Sequence, residues 1–188
     1  MTSFENDWTY FKAAVPLLYD YLLSAELFWP PPVSVRATDA TGALNLSLGN
    51  VLLFMQRLKA SNVPGERAAA FASLEQQVNE TRTRWQANWQ KKAQAEFNSR
   101  VTLWQNYLND FAQPERPATV NYHYAIRWRV ILDLLTGEPG AAHRNQSVLE
   151  HMDGRLRALV RPGQFIWEPE LADGFPKERY WYLYVTLP

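Results

Sequence analysis

Cysteine is absent from the 188 residues of this chain. That excludes disulfides, thiolate zinc sites, iron–sulfur clusters and cysteine nucleophiles together. There are three histidines, His123, His143 and His151. No two stand four apart, the spacing that turns two imidazoles toward one zinc from one helix face. Glycine is scarce, at eight residues, and forms neither a Walker loop nor a dinucleotide fingerprint. No Gly-x-Ser-x-Gly elbow is present for a serine hydrolase, and no Glu-x-x-His motif for a di-iron bundle. No catalytic set and no cofactor is therefore expected.

Net charge is missing as well, with 19 Lys+Arg against 19 Asp+Glu. A dedicated nucleic-acid binder needs a positive excess to displace counterions, so nucleic acid is disfavoured as a partner. The apolar stretch from Phe11 to Trp29 contains Asp20 and Glu26. The stretch from Leu44 to Met55 falls short of the roughly 20 residues that cross a bilayer. The first residues include Glu5 and Asp7 where a signal peptide carries basic side chains. These absences predict a cytoplasmic protein with no membrane contact.

What the chain has in quantity is apolar and aromatic surface. Its hydrophobic fraction is 47%, with 8 Trp, 9 Tyr and 9 Phe. That length and composition suit one globular domain over residues 1–188. Trp8, Phe11, Val15, Leu18, Leu22, Ala25 and Trp29 recur at steps of three and four, the signature of one helix face. Pro16 interrupts that run and predicts a kink, and Pro30-Pro31-Pro32 ends it. Leu44, Leu48, Val51, Met55 and Leu58 mark a second helix, stopped at Asn62-Val63-Pro64-Gly65.

From Glu66 to Gln113 there are 48 residues without proline or glycine. As one helix they would span about 72 Å. Phe71, Leu74, Val78, Trp85 and Trp89 form one stripe, and Phe97, Val101, Trp104, Leu108 and Phe111 another. The second is rotated by roughly 100° from the first, which rejects a long coiled coil. Either different neighbours cover the two halves, or the helix bends between Asn88 and Ala95, where polar Gln90, Lys91 and Lys92 interrupt the stripe.

A fourth helix carries Val120, Tyr124, Trp128, Ile131 and Leu135. A fifth carries Leu149, Met152, Leu156 and Leu159, with Ser147 and Glu150 spaced as a capping box. Beyond Pro162-Gly163 the aromatic tail of residues 165–188 is expected to lie extended on the helices. Tyr180 to Val185 has strand composition and Val33 to Ala37 alternates, so a minor two-stranded ribbon between them is expected. The fold class is all-α: about five helices, one of them very long or bent, with an extended C-terminal tail.

Two sets of residues stand out for function. Arg82, Trp85, Trp89 and Lys92 place two indoles among long basic stems, the composition of a protein-binding hot spot. The competing reading is a core stripe whose basic stems snorkel to water. His123 with Arg127 at a helix start could favour an anionic ligand, against a half-buried aromatic edge. Charge is uneven despite its zero sum: residues 1–35 balance at −3 and residues 57–100 at +4. The expectation is a non-catalytic protein-interaction module with a protein partner or a second copy of itself. The alternative is a small-ligand-binding or enzymatic bundle with a polar pocket near His123 and Arg127.

Overall fold

A computed structural model describes residues 3–33, 44–113, 122–141 and 143–187. Among these residues the chain forms seven α-helices: α1 Ser3–Ala14, α2 Leu18–Leu23, α3 Leu48–Ala60, α4 Gly65–Arg84, α5 Gln86–Phe111, α6 Tyr122–Thr136 and α7 His143–Leu159. A two-stranded antiparallel ribbon joins β1 Arg161–Phe165 to β2 Tyr184–Thr186. Five helical runs become seven helices because two of them divide. Pro16 lies in a 3-10 turn, Val15–Leu17, between α1 and α2. The long central segment breaks at Trp85 (φ −115°, ψ 39°).

That break lies three residues ahead of the expected bend, and neither proline nor glycine causes it. Trp85 and Trp89, four apart, would share one face of a continuous helix. With the break between them, Trp85 lies half-exposed while Trp89 is buried. Other boundaries also differ from expectation. The first run leaves the helix after Leu23, well before Pro30. Ser147 lies inside α7, which starts at His143, so Ser147 and Glu150 are not its cap. Asn62 ends α3 as its side chain suggests, in the left-handed region at φ 51°.

The chain divides into two compact units, residues 1–96 and 97–188, with α5 contributing to both. In the first, α1 packs on α3, with the Tyr10 and Phe54 rings 4.4 Å apart. Phe11 meets Phe71 of α4 at 5.8 Å. A buried ion pair crosses this core, Arg57 Nε donating to Asp7 Oδ2 at 2.8 Å. The start of α3 is held by Ser47, whose Oγ accepts from the Asn50 N–H and donates to Glu96 Oε1 at 2.8 Å. The Gly49 N–H donates to Glu96 Oε2 at 2.8 Å, so this fully buried carboxylate satisfies donors at the helix start.

In the second unit the rings of Trp104, Tyr107 and Phe111 follow one another along α5, and Tyr122 of α6 joins them. The tail packs on α6 and α7. Tyr122 Oη donates to the Tyr182 carbonyl at 2.8 Å, and the Arg157 guanidinium lies 4.2 Å from the Trp181 ring centre. Phe175, Tyr182 and Leu183 are fully buried. Residues 181–183 form a 3-10 turn, and strand structure begins only at Tyr184. The ribbon partner is β1 rather than the expected Val33 to Ala37, of which residues 34–37 lie outside the described residues. Gly163 permits this pairing, because a Cβ there would stand 2.7 Å from the Thr186 nitrogen.

Candidate functional site

The four residues of the indole segment part company: Trp89 and Lys92 are buried, and Arg82 and Trp85 are half-buried. Trp89 is 1% exposed, and the Arg82 guanidinium lies 5.8 Å from its ring centre. Arg82 Nη2 also donates to Asn79 Oδ1 at 2.7 Å. Lys92 is buried, with Nζ 4.5 Å from the Tyr21 ring centre and donating to Ser24 Oγ and the Glu26 carbonyl. Burial pushes its pKa below the usual 10.5, Glu26 works against that shift, and Lys91 adds to it. These contacts anchor the loop after α2 and leave Trp89 and Lys92 turned inward.

Trp85 has a different setting. Its ring meets Tyr19 of α2 at 5.3 Å, and the Arg84 guanidinium lies 5.9 Å from it. Tyr19 and Leu23, four apart on α2, are 45% and 47% exposed. Arg84 is exposed, and no carboxylate among the described residues pairs with it. The result is an apolar surface of Tyr19, Leu23 and Trp85 with a cation at its edge.

His123 is exposed at the start of α6, and Arg127 is half-buried one turn later. Neither lines the polar cleft of this unit, which sits farther along α6. Its floor is Arg129, buried on the same face as Ile126 and Val130. Arg129 Nε donates to Asp153 Oδ1 and Nη2 to Asp153 Oδ2, both at 2.8 Å. Asp133, one turn on, lies 3.7 Å from Arg129 Nη1, and Arg179 Nε donates to its Oδ2 at 2.7 Å. Arg129 also lies 4.4 Å from the Tyr182 ring centre. Burial works against its charge, yet Tyr182, Asp153 and Asp133 together raise its pKa above the usual value. This constellation escaped the sequence reading. The one signal available was the Arg129 and Asp133 spacing of four on one helix.

Among the described residues, no group of three or more His, Asp or Glu could hold a metal ion. No helix among them is long and apolar enough to cross a membrane. No protein-family model, no curated protein and no solved structure matches this chain.

Proposed function

We propose that this protein is a non-catalytic interaction module whose docking surface is the Tyr19, Leu23 and Trp85 face of the first unit. The observation that carries the reading is the exposure of Tyr19 and Leu23, one turn apart, with the half-exposed Trp85 ring against Tyr19. Such side chains cluster at partner-binding sites, and aromatic and arginine residues dominate binding energy there. The occupant is a protein segment that lays apolar side chains on Tyr19 and Leu23 and brings a carboxylate to Arg84. Arg84 at the edge of the surface favours an acidic side chain on the partner at that point. Trp85 rather than Trp89 is the anchor, because a buried indole offers a partner nothing.

A photo-crosslinking residue in place of Leu23, in the cells that make the protein, tests this. A discrete adduct that Trp85→Ala or Arg84→Glu abolishes is the expected result. An adduct formed only between two copies of this chain replaces the partner with self-association. No adduct, or one indifferent to both substitutions, rejects the surface.

A further inference from the structure

The helix that carries Tyr19 and Leu23 does not close its own C-terminal end. With six residues, α2 is well under the length of about 12–15 below which isolated helices are marginal in water. The chain leaves it at Ser24 in an extended conformation (φ −72°, ψ 163°), without the left-handed residue that commonly ends a helix. Side chains make the closing contacts instead. Ser24 Oγ donates to the Tyr21 carbonyl at 2.8 Å. Lys92 Nζ, reaching across from α5, donates to Ser24 Oγ at 3.3 Å and to the Glu26 carbonyl. The same ammonium sits 4.5 Å from the Tyr21 ring centre.

Lys92 is the last of three residues around the α4–α5 break that reach α2. The Trp85 ring meets Tyr19 at 5.3 Å, and Asn88 Nδ2 donates to the Leu22 carbonyl at 3.4 Å. Placing an ammonium in this position has a cost. Lys92 is 7% exposed, and burial works against its charge. A methionine would fill a similar volume without that cost. Buried charges add little net stability, and their best-attested use is to fix one arrangement of the chain against others. Here the arrangement is the turn that begins at Ser24, the residue directly after Leu23.

We infer that Lys92 is a positioning residue for the docking surface, latching the end of α2 to α5 and thereby fixing where Leu23 stands. The functional half of this inference rests on the docking reading above. The latch itself rests on the contacts of Lys92 with Ser24, Glu26 and Tyr21. Coupling runs both ways, because a partner seated on Leu23 and Trp85 holds α2 against α5 as the latch does.

Amide hydrogen exchange on the full-length protein, with Lys92→Met and Lys92→Arg beside the parent, tests the latch. The photo-crosslink at position 23, repeated in both variants, tests its consequence. Lys92→Met should quicken exchange at Leu22, Leu23 and Ser24 about tenfold or more, the scale of a lost hydrogen bond to a charged group. Exchange in α1 and α3 and the melting temperature should stay in place, while most of the adduct is lost. Lys92→Arg keeps a cation that can donate and lie on the Tyr21 ring, so it should restore both. Unchanged exchange at Leu22 to Ser24 in Lys92→Met overturns the inference, as does quickening spread evenly over α1 and α3. An undiminished adduct despite quickened exchange overturns it as well, because docking then ignores the latch. An arginine variant that behaves like the methionine one assigns the effect to shape and overturns the role of the charge. A parent that gives no adduct rejects the docking surface instead, and exchange still decides whether Lys92 latches α2.

Discussion

Arg129 grips Asp153 through two parallel bonds of 2.8 Å, joining α6 to α7 across 24 positions of sequence. The guanidinium is 5% exposed and the carboxylate 15%, so the pair has little water to fall back on. Removing one partner of a buried pair strands the other charge, which typically costs about 3–5 kcal/mol. Asp153→Ala should lower the unfolding free energy by that amount in a denaturant titration. Replacing both residues with apolar side chains of similar volume should cost less than the single change. A double variant worse than Asp153→Ala would mean the pair contributes more than it costs to bury.

The two tryptophans of the predicted face should behave oppositely. Trp89→Ala empties a site in the core and should cost about 3–5 kcal/mol. Trp85 is half-exposed, so its removal should cost about 1 kcal/mol, within the common range for single changes. Denaturant midpoints for the two variants check this. Equal shifts would mean that Trp85 is as much a part of the core as Trp89.

Glu96 accepts from Ser47 Oγ and the Gly49 N–H, and it is fully buried. Glu96→Ala leaves donors at the start of α3 without an acceptor. Hydrogen bonds to a charged group contribute about 1.5–3 kcal/mol, and the loss should fall in that range or above it. Hydrogen exchange should quicken at Gly49 and Asn50 ahead of the rest of α3. Uniform exchange along the helix would show that Glu96 acts on global stability alone.

Much of the helical layout was legible because apolar side chains recur at steps of three and four and breakers announce themselves. Pro16 divides α1 from α2, and Asn62 ends α3, each by a property of its own backbone. The break at Trp85 was not legible, since nothing in its local sequence forbids a helix. The contact with Tyr19, 66 positions earlier, is part of what sets it apart from the buried Trp89. The buried face of α6 was misplaced for a related reason. It includes Arg129, a charge that periodicity assigns to solvent, while Tyr124 and Trp128 are only half-buried. Arg129 turns inward because Asp153 and Asp133 meet it there, and pairing across helices leaves no local trace. The strand β1 was hidden by Pro162 and Gly163, both poor strand formers that a ribbon edge tolerates.

Alkaline pH should unfold the protein through its buried phenols. Burial, first among the causes, raises the pKa of Tyr107, Tyr122, Tyr180 and Tyr182 above the usual 10.0. The folded state then keeps protons that the unfolded chain releases, so stability falls as pH climbs past 10.0. Lys92 contributes with the opposite sign. Its lowered pKa means that the unfolded chain holds the extra proton, so stability rises with pH until 10.5 and then levels. Four phenols outweigh one amine. The tyrosinate absorbance of these residues should therefore appear together with the loss of helical circular dichroism. Complete tyrosine ionisation with the helices intact would contradict their burial.

Two tyrosines in direct contact should respond to the same conservative change with opposite signs. Tyr122 Oη donates to the Tyr182 carbonyl at 2.8 Å inside the second unit. Tyr122→Phe removes that donor and leaves a buried carbonyl without it, a net cost of about 1 kcal/mol. Tyr182 Oη is itself buried and has no hydrogen-bond partner among the described residues. An unsatisfied buried hydroxyl costs about 1–3 kcal/mol, so Tyr182→Phe discards a penalty and no bond. The ring remains in place beneath the Arg129 guanidinium, 4.4 Å from its centre, so the packing there is kept. Tyr182→Phe should thus be neutral or stabilising by up to about 1 kcal/mol, since folded-state relaxation recovers part of the penalty. Tyr122→Phe should be destabilising by a similar amount. Thermal and denaturant unfolding of the two single variants and the double measure both signs. A destabilised Tyr182→Phe would show that its hydroxyl has a partner in solution.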